Sequence, residues 1–198
     1  MIFSFKKNFI FISVPKTGTQ TIESVLSKYK GTRSSSQINL LYEKEGVQTG
    51  RWSKEEHQLP MVEHICADEL KYKLGEKYNN YHKVSFVRNP WDRTVSQYFF
   101  YKYKVGKNHY ENKKIRTYKD FKTFVREGID TGRRPWLQQS FFICDKAGNI
   151  LVNDVYKYEN LQEEFDALCN KFDFPKCRLP HKNKTKHKHY TEYYDDET

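Results

Sequence analysis

Phe9 to Val14 (FIFISV) is an apolar and β-branched run broken only by one Ser, the composition of a strand buried on both faces. Pro15 ends it. Beyond Thr17 and Gly18 the period changes, because Ile22, Val25, Leu26 and Tyr29 recur at the three-and-four spacing of one helical face. The pattern predicts a strand, a tight polar turn and a helix. It repeats downstream: Lys83 to Val87 (KVSFV) predicts a second strand that runs into Arg88-Asn89-Pro90-Trp91-Asp92-Arg93. There Asn89 suits an N-cap, Pro90 the first helical position and Asp92 a capping carboxylate. That helix continues through Val95, Tyr98, Phe99 and Lys102, with Ser96 about two turns in.

The remaining segments are less regular. Gly31 to Gly50 is polar, Ser-rich and without a sustained period, so it reads as a loop region anchored by Leu40, Leu41 and Tyr42. Arg51 to Gln58 is charged. Met61 to Ile65 predicts a short extended piece, and Ala67 to Leu74 a helix ended by Gly75. Tyr101 to Tyr118, rich in Lys and Tyr, reads as a surface connection. Phe121, Phe124 and Val125 stand at helical spacing within Lys119 to Glu127, with Gly128 as the stop. Two β-rich runs, Ser140 to Cys144 and Ile150 to Tyr156, predict a hairpin or adjacent strands around Asp145 to Asn149. Asn160 with Glu163 predicts a capping box for a helix bearing Leu161, Phe165, Leu168 and Cys169. From about Leu179 a basic block precedes an acidic, Tyr-rich end, read either as a mobile tail or as a cationic flap closing on a phosphate.

A chain of 198 residues is expected to form one domain over 1–198, and 16% aromatic residues argue against disorder even though 30% are charged. The net charge of +10 points to an anionic partner: a nucleotide, nucleic acid, a sulfated or carboxylated glycan, or a membrane surface. No apolar run approaches the roughly 20 residues of a membrane span. Lys6 and Lys7 ahead of Phe9 mimic a signal peptide, but no small-residue cleavage site follows, so the stretch reads as the first strand. Cys66, Cys144, Cys169 and Cys177 lack CxxC spacing, which predicts reduced thiols and a cytoplasmic location.

A helix that opens straight after a buried strand offers backbone N–H groups and the positive end of its dipole to an anion. Lys16 adds a mobile cation, Thr17, Thr19 and Thr21 add hydroxyls, and Gly18 lets the backbone come close. A Walker A loop needs Gly, four residues, then Gly-Lys-Ser/Thr, whereas here the Lys comes first. An ordinary turn with a surface Lys is the alternative at this point. Arg88 at the end of the second strand, with Ser96 on the following helix, makes a second anion edge. Two such edges side by side would hold two phosphates. His187 and His189 stand among lysines that repel cations, without spaced carboxylates or Cys, so no metal site is expected.

With Pro15-Lys16-Thr17-Gly18-Thr19 after one strand and Phe86-Val87-Arg88-Asn89-Pro90-Trp91-Asp92-Arg93-Thr94-Val95-Ser96 after the next, the chain resembles the sulfotransferase superfamily. It looks most like the branch containing carbohydrate sulfotransferases (sulfotransferase family 2). The resemblance extends through Tyr158-Glu159-Asn160-Leu161 and Leu179-Pro180-His181-Lys182-Asn183. It implies a P-loop-kinase-like α/β fold, a central parallel sheet in a three-layer α/β/α arrangement, that binds 3′-phosphoadenosine 5′-phosphosulfate (PAPS). By the resemblance, Pro15, Lys16, Thr17, Gly18, Thr19, Gln20 and Thr21 hold the 5′-phosphosulfate, and Arg88 with Ser96 the 3′-phosphate. The loop departs slightly from the family's commoner Gly-Gly-Thr or Gly-Thr-Thr at Gln20, at little expected cost because backbone N–H groups do most of the holding.

Sulfonyl transfer needs an acceptor hydroxyl that loses a proton, in-line oxygens and neutralisation of the departing phosphate. Lys16 suits the last task. His64 precedes the Arg88 strand, where some related carbohydrate sulfotransferases place a catalytic His, and is the expected base; a structural His is the alternative, and His57, Glu63 and Asp68 compete. Lys182 and Lys186 are candidate phosphate contacts. Arg93 either positions substrate or braces the turn through a carboxylate; Tyr158 and Glu159 read as supports and Trp91 as core packing or an adenine neighbour. The acceptor is expected to be a glycan or other hydroxyl compound, its pocket lined by loops such as Ser34 to Gln58 and Lys102 to Arg116. The competing readings are a nucleotide kinase or NTPase, opposed by the missing Walker order, and a nonenzymatic basic module for nucleic acid or another polyanion, which no recognised motif accompanies.

Overall fold

A computed structural model describes residues 1–4, 7–28, 32–34, 64–180, 182, 185–196 and 198. Tyr29, the loop anchor Leu40 to Tyr42, the charged stretch Arg51 to Gln58 and residues 61–63 lie outside the described residues, as do His57, Glu63, His181 and Asn183. The chain forms two compact units, Met1–Val87 with Gln139–Pro180, and Arg88–Gln138 with His181–Thr198.

The first unit holds the sheet: β1 (Ile2–Ser4), β2 (Phe9–Ile12), β3 (Thr32–Ser34), β4 (His82–Val87) and β5 (Asp154–Lys157), in the order β3-β1-β2-β4-β5. β2, β4 and β5 run parallel, so the expected parallel sheet is present; β1 adds an antiparallel edge by pairing with both β2 and β3. Strand alternation decides the two faces. Phe9, Phe11, Val84 and Phe86 pack with Ile22, Val25 and Leu26 of α1 (Thr19–Leu26) and with Phe165 and Leu168 of the C-terminal helix Leu161–Phe172. Ile10, Ile12, Lys83 and Ser85 alternate to the other face and are all buried. There Lys83 Nζ lies 4.6 Å from the ring centre of Tyr78, in the 3-10 turn that follows α2 (Ala67–Leu74). Burial lowers the Lys83 pKa below the usual lysine range. Helices thus flank the parallel sheet, as the α/β class requires.

The second unit is helical: α3 (Pro90–Tyr103), α4 (Tyr110–Arg116) and the short α5 (Phe121–Thr123), which passes into a π turn at Phe124–Gly128. Val95, Tyr98, Ile115, Phe121, Phe124 and Trp136 form its core, and Tyr190, Tyr193 and Tyr194 of the C-terminal segment pack against it. Inside it Glu111, 1% exposed, accepts from Trp136 Nε1 at 3.0 Å and lies 2.7 Å from Arg133 Nε.

Several expectations need correction. The strand expected to come first is the second, because Ile2–Ser4 already forms β1, and it stops at Ile12 rather than Val14. Thr32–Ser34, read within a loop, is a strand. Ser140–Ile143 is α6, not a strand: Phe142 and Ile143 are adjacent and both buried while Ser140 and Phe141 face out, which strand alternation forbids. The hairpin reduces to one antiparallel bridge between Cys144 and Ile150, and the strand begins only at Asp154. Tyr101 to Tyr118 contains α4 with Glu111, Asn112 and Ile115 buried, so it is not merely a surface connection. Asn160 precedes the last helix, α7 (Leu161–Phe172), but makes no side-chain cap, because a 3-10 turn at Tyr158–Asn160 leads into it. Trp91 is 53% exposed, not core, since the first turn of α3 points it outward.

Among the described residues no helix is long and apolar enough to cross a membrane, and no group of three His, Cys, Asp or Glu is placed to hold a metal ion.

Candidate functional site

β2 leaves the sheet through Ser13 and Val14 into Pro15-Lys16-Thr17-Gly18, and α1 starts at Thr19. Lys16 has φ +67° and Gly18 φ +78°, with Thr17 between them outside the positive-φ set. Such alternation turns successive N–H groups toward one side and makes a concavity for an anion. For Lys16 this left-handed backbone is strained, a feature that collects at functional sites. Gly18, the N-cap position, has no side chain with which to cap α1. A Cβ on it would meet Leu161 Cδ2 at 3.0 Å and Tyr158 Cδ2 at 3.4 Å. The Tyr158–Leu161 turn therefore forms the floor under the loop, consistent with the expected supporting role of Tyr158.

The three Thr hydroxyls are engaged with backbone. Thr17 Oγ1 and Thr19 Oγ1 donate to the Val14 carbonyl at 3.0 and 2.8 Å, and Thr21 Oγ1 to that of Pro180 at 3.2 Å. Their work here is to brace the loop, which leaves the backbone N–H groups and Lys16 as the means of attracting an anion.

His64, half-buried just ahead of α2, reaches the same strand exit. Its Nδ1 lies 2.9 Å from the Ser13 carbonyl oxygen. A carbonyl only accepts, so Nδ1 carries the proton, and in the neutral ring the lone pair falls on Nε2. Ser13, fully buried, also donates Oγ–H to Glu23 Oε1 of α1 at 2.6 Å. Ser13 and Glu23 were not legible as site residues, because a Ser inside an apolar run and a Glu on an amphipathic helix carry no signal of their own. The competing base Asp68 stands in the first turn of α2.

In the second unit, Asn89 Oδ1 accepts from the Trp91 and Asp92 N–H groups, the predicted cap. Arg88, 8% exposed, donates Nε–H to Asp92 Oδ2 at 2.8 Å, which sets the direction of the guanidinium; Ser96 is 5% exposed. Arg93 acts as a brace: its Nη atoms donate to Leu137 O at 3.0 Å and Pro135 O at 3.2 Å. Burial, with the like charge of Arg88 adding to it, brings its pKa down to about 10, so it stays charged at neutral pH. Lys182 is exposed, and Lys186 lines a cleft with Thr185, His187, Lys188, Glu192 and Tyr193.

No curated protein and no solved structure matches the chain. A family model described as the sulfotransferase family matches residues 1–197, a span that takes in the strand-exit loop, the Arg88 helix and the turn beneath Gly18. With nearly its whole length matched, the chain belongs to the sulfotransferase family.

Proposed function

We propose that the protein transfers the sulfonyl group of PAPS to a hydroxyl of a carbohydrate acceptor, and that Pro15 to Thr21 form the cradle for the donor's 5′-phosphosulfate. One observation carries this reading: Lys16 and Gly18 both take left-handed backbone at the mouth of a helix that no side chain caps. That arrangement fits an oxyanion-rich group and places the one Lys of the loop ahead of the glycine, an order that disfavours the kinase alternative. Arg88 and Ser96 are assigned the 3′-phosphate by the motif they complete, with Lys182 and Lys186 as further phosphate contacts.

The donor supplies a sulfonyl group attached to a phosphate leaving group. His64 takes the acceptor's hydroxyl proton on Nε2 while the acceptor oxygen bonds to sulfur and the bond from sulfur to the phosphate oxygen breaks. Lys16 neutralises the charge that grows on that departing oxygen. The free thiols of Cys66, Cys144, Cys169 and Cys177 support a reducing, cytoplasmic setting for this work.

Incubation with ³⁵S-labelled PAPS and a panel of glycans, tyrosyl peptides and small alcohols tests the reading. Label is expected on a glycan, with stoichiometric release of adenosine 3′,5′-bisphosphate (PAP). Label on peptide alone would replace the acceptor class, and PAPS that stays intact with every acceptor would remove the activity.

A further inference from the structure

Ser13 donates through its side chain and accepts through its backbone. Its hydroxyl donates to Glu23 Oε1 at 2.6 Å, and its carbonyl accepts from His64 Nδ1 at 2.9 Å. The next peptide is held as firmly, because the Val14 carbonyl receives both the Thr17 and the Thr19 hydroxyl. Glu23 Oε1 also pairs with the Met1 ammonium, so the carboxylate has two donors. The strand exit is thus fixed from three elements: α1 through Glu23, the loop through its threonines, and β2 itself.

Rigidity at this point has a chemical consequence. A neutral imidazole accepts a proton only on the nitrogen that lacks one, and the partner of the other nitrogen decides which that is. If the Ser13 carbonyl swings away, the His64 ring can carry its proton on Nε2, and that tautomer cannot act as a base there. We propose that Ser13, held by Glu23, is a positioning residue that fixes His64 in its Nδ1–H tautomer and keeps Nε2 as the proton acceptor. The inference rests on the reading of His64 as the base.

The test uses the full chain labelled with ¹⁵N-histidine. Two-bond proton–nitrogen correlations distinguish the tautomers, and a His64→Ala spectrum identifies the His64 signals among the 7 histidines. The wild type is expected to show the Nδ1–H pattern. Ser13→Ala is expected to mix the two tautomers and lower kcat about 10-fold with donor KM little changed, since loss of such an outer partner typically costs about 10- to 100-fold. Ser13→Thr, which keeps the hydroxyl, should restore both readouts. Glu23→Ala should reproduce the Ser13→Ala result, and it keeps the test open should that variant fold poorly.

An Nε2–H pattern in the wild type would overturn the proposal, as would an unchanged tautomer and kcat in both variants. Normal turnover by His64→Ala would instead remove the base reading, and with it the positioning role, while the spectra still reported the hydrogen bond.

Discussion

His64 donates its Nδ1–H to the carbonyl of Ser13 across 2.9 Å, three residues before Lys16 of the anion loop. The contact ties the proposed base to the strand that launches the proposed donor site. Replacing the ring removes proton transfer but none of the loop's N–H groups. His64→Ala is therefore expected to bind PAP within about 3-fold of wild type and to lose about 10²- to 10⁴-fold in kcat, the usual contribution of a general base. Titration calorimetry and initial rates check the two halves separately.

Gly18 is required twice over. Its φ of +78° disfavours any L side chain, and an added Cβ would stand 3.0 Å from Leu161 Cδ2. Gly18→Ala should cost about 1–3 kcal/mol by backbone strain and crowding. Thermal melting should show it, and adding Leu161→Ala should fail to restore Tm because the φ penalty remains.

Glu111 carries the polar interior of the helical unit. Its contact with Arg133 Nε is close at 2.7 Å but off the hydrogen-bonding angle, whereas Trp136 Nε1 donates well at 3.0 Å. Glu111→Ala leaves a buried indole N–H without its acceptor and a guanidinium without its counter-charge. The expected loss is about 3 kcal/mol, the low end for a broken buried pair because Arg133 keeps some contact with water. Glu111→Gln, which can still accept from Trp136, should lose roughly half as much, as denaturant melts would show.

Asp154 links stability to acid. Burial works to raise its pKa, but hydrogen bonds from Lys171 Nζ and His82 Nε2 outweigh burial and hold the carboxyl below its usual range. A carboxylate with a depressed folded pKa stabilises the fold above its unfolded value and loses that contribution as pH falls through the folded one. Asp154→Asn should therefore melt a few degrees below wild type at pH 7, and the gap should narrow as pH drops below about 4. A gap that stayed constant from pH 7 to pH 3 would contradict this account.

Where one residue dominates a local choice, the sequence was enough. Ala67–Leu74 and its Gly75 stop, the Asn89 cap and Pro90 at the start of α3 all follow from local backbone and capping chemistry. Where tertiary packing decides, it was not. α4 hides Glu111 and Asn112 inside, so its buried face does not look apolar. Gly128 ends a helical segment as foreseen, yet not through a left-handed turn: a Cβ there would lie 2.7 Å from Phe124 and Tyr118. The Lys16 backbone conformation has no signature, since Lys rarely adopts it. The link from Glu23 through Ser13 to His64 joins residues far apart in sequence, and only the folded strand exit brings them together.

The central claim is that the Lys16 loop is built for the PAPS skeleton rather than for ATP, and a thermal-shift titration tests it most directly. PAP should raise the Tm of the wild type in proportion to RT ln(1 + [L]/Kd), and Lys16→Ala should lose most of that shift, while ATP with magnesium should leave the Tm unchanged. Stabilisation by ATP with magnesium and none by PAP would contradict the account.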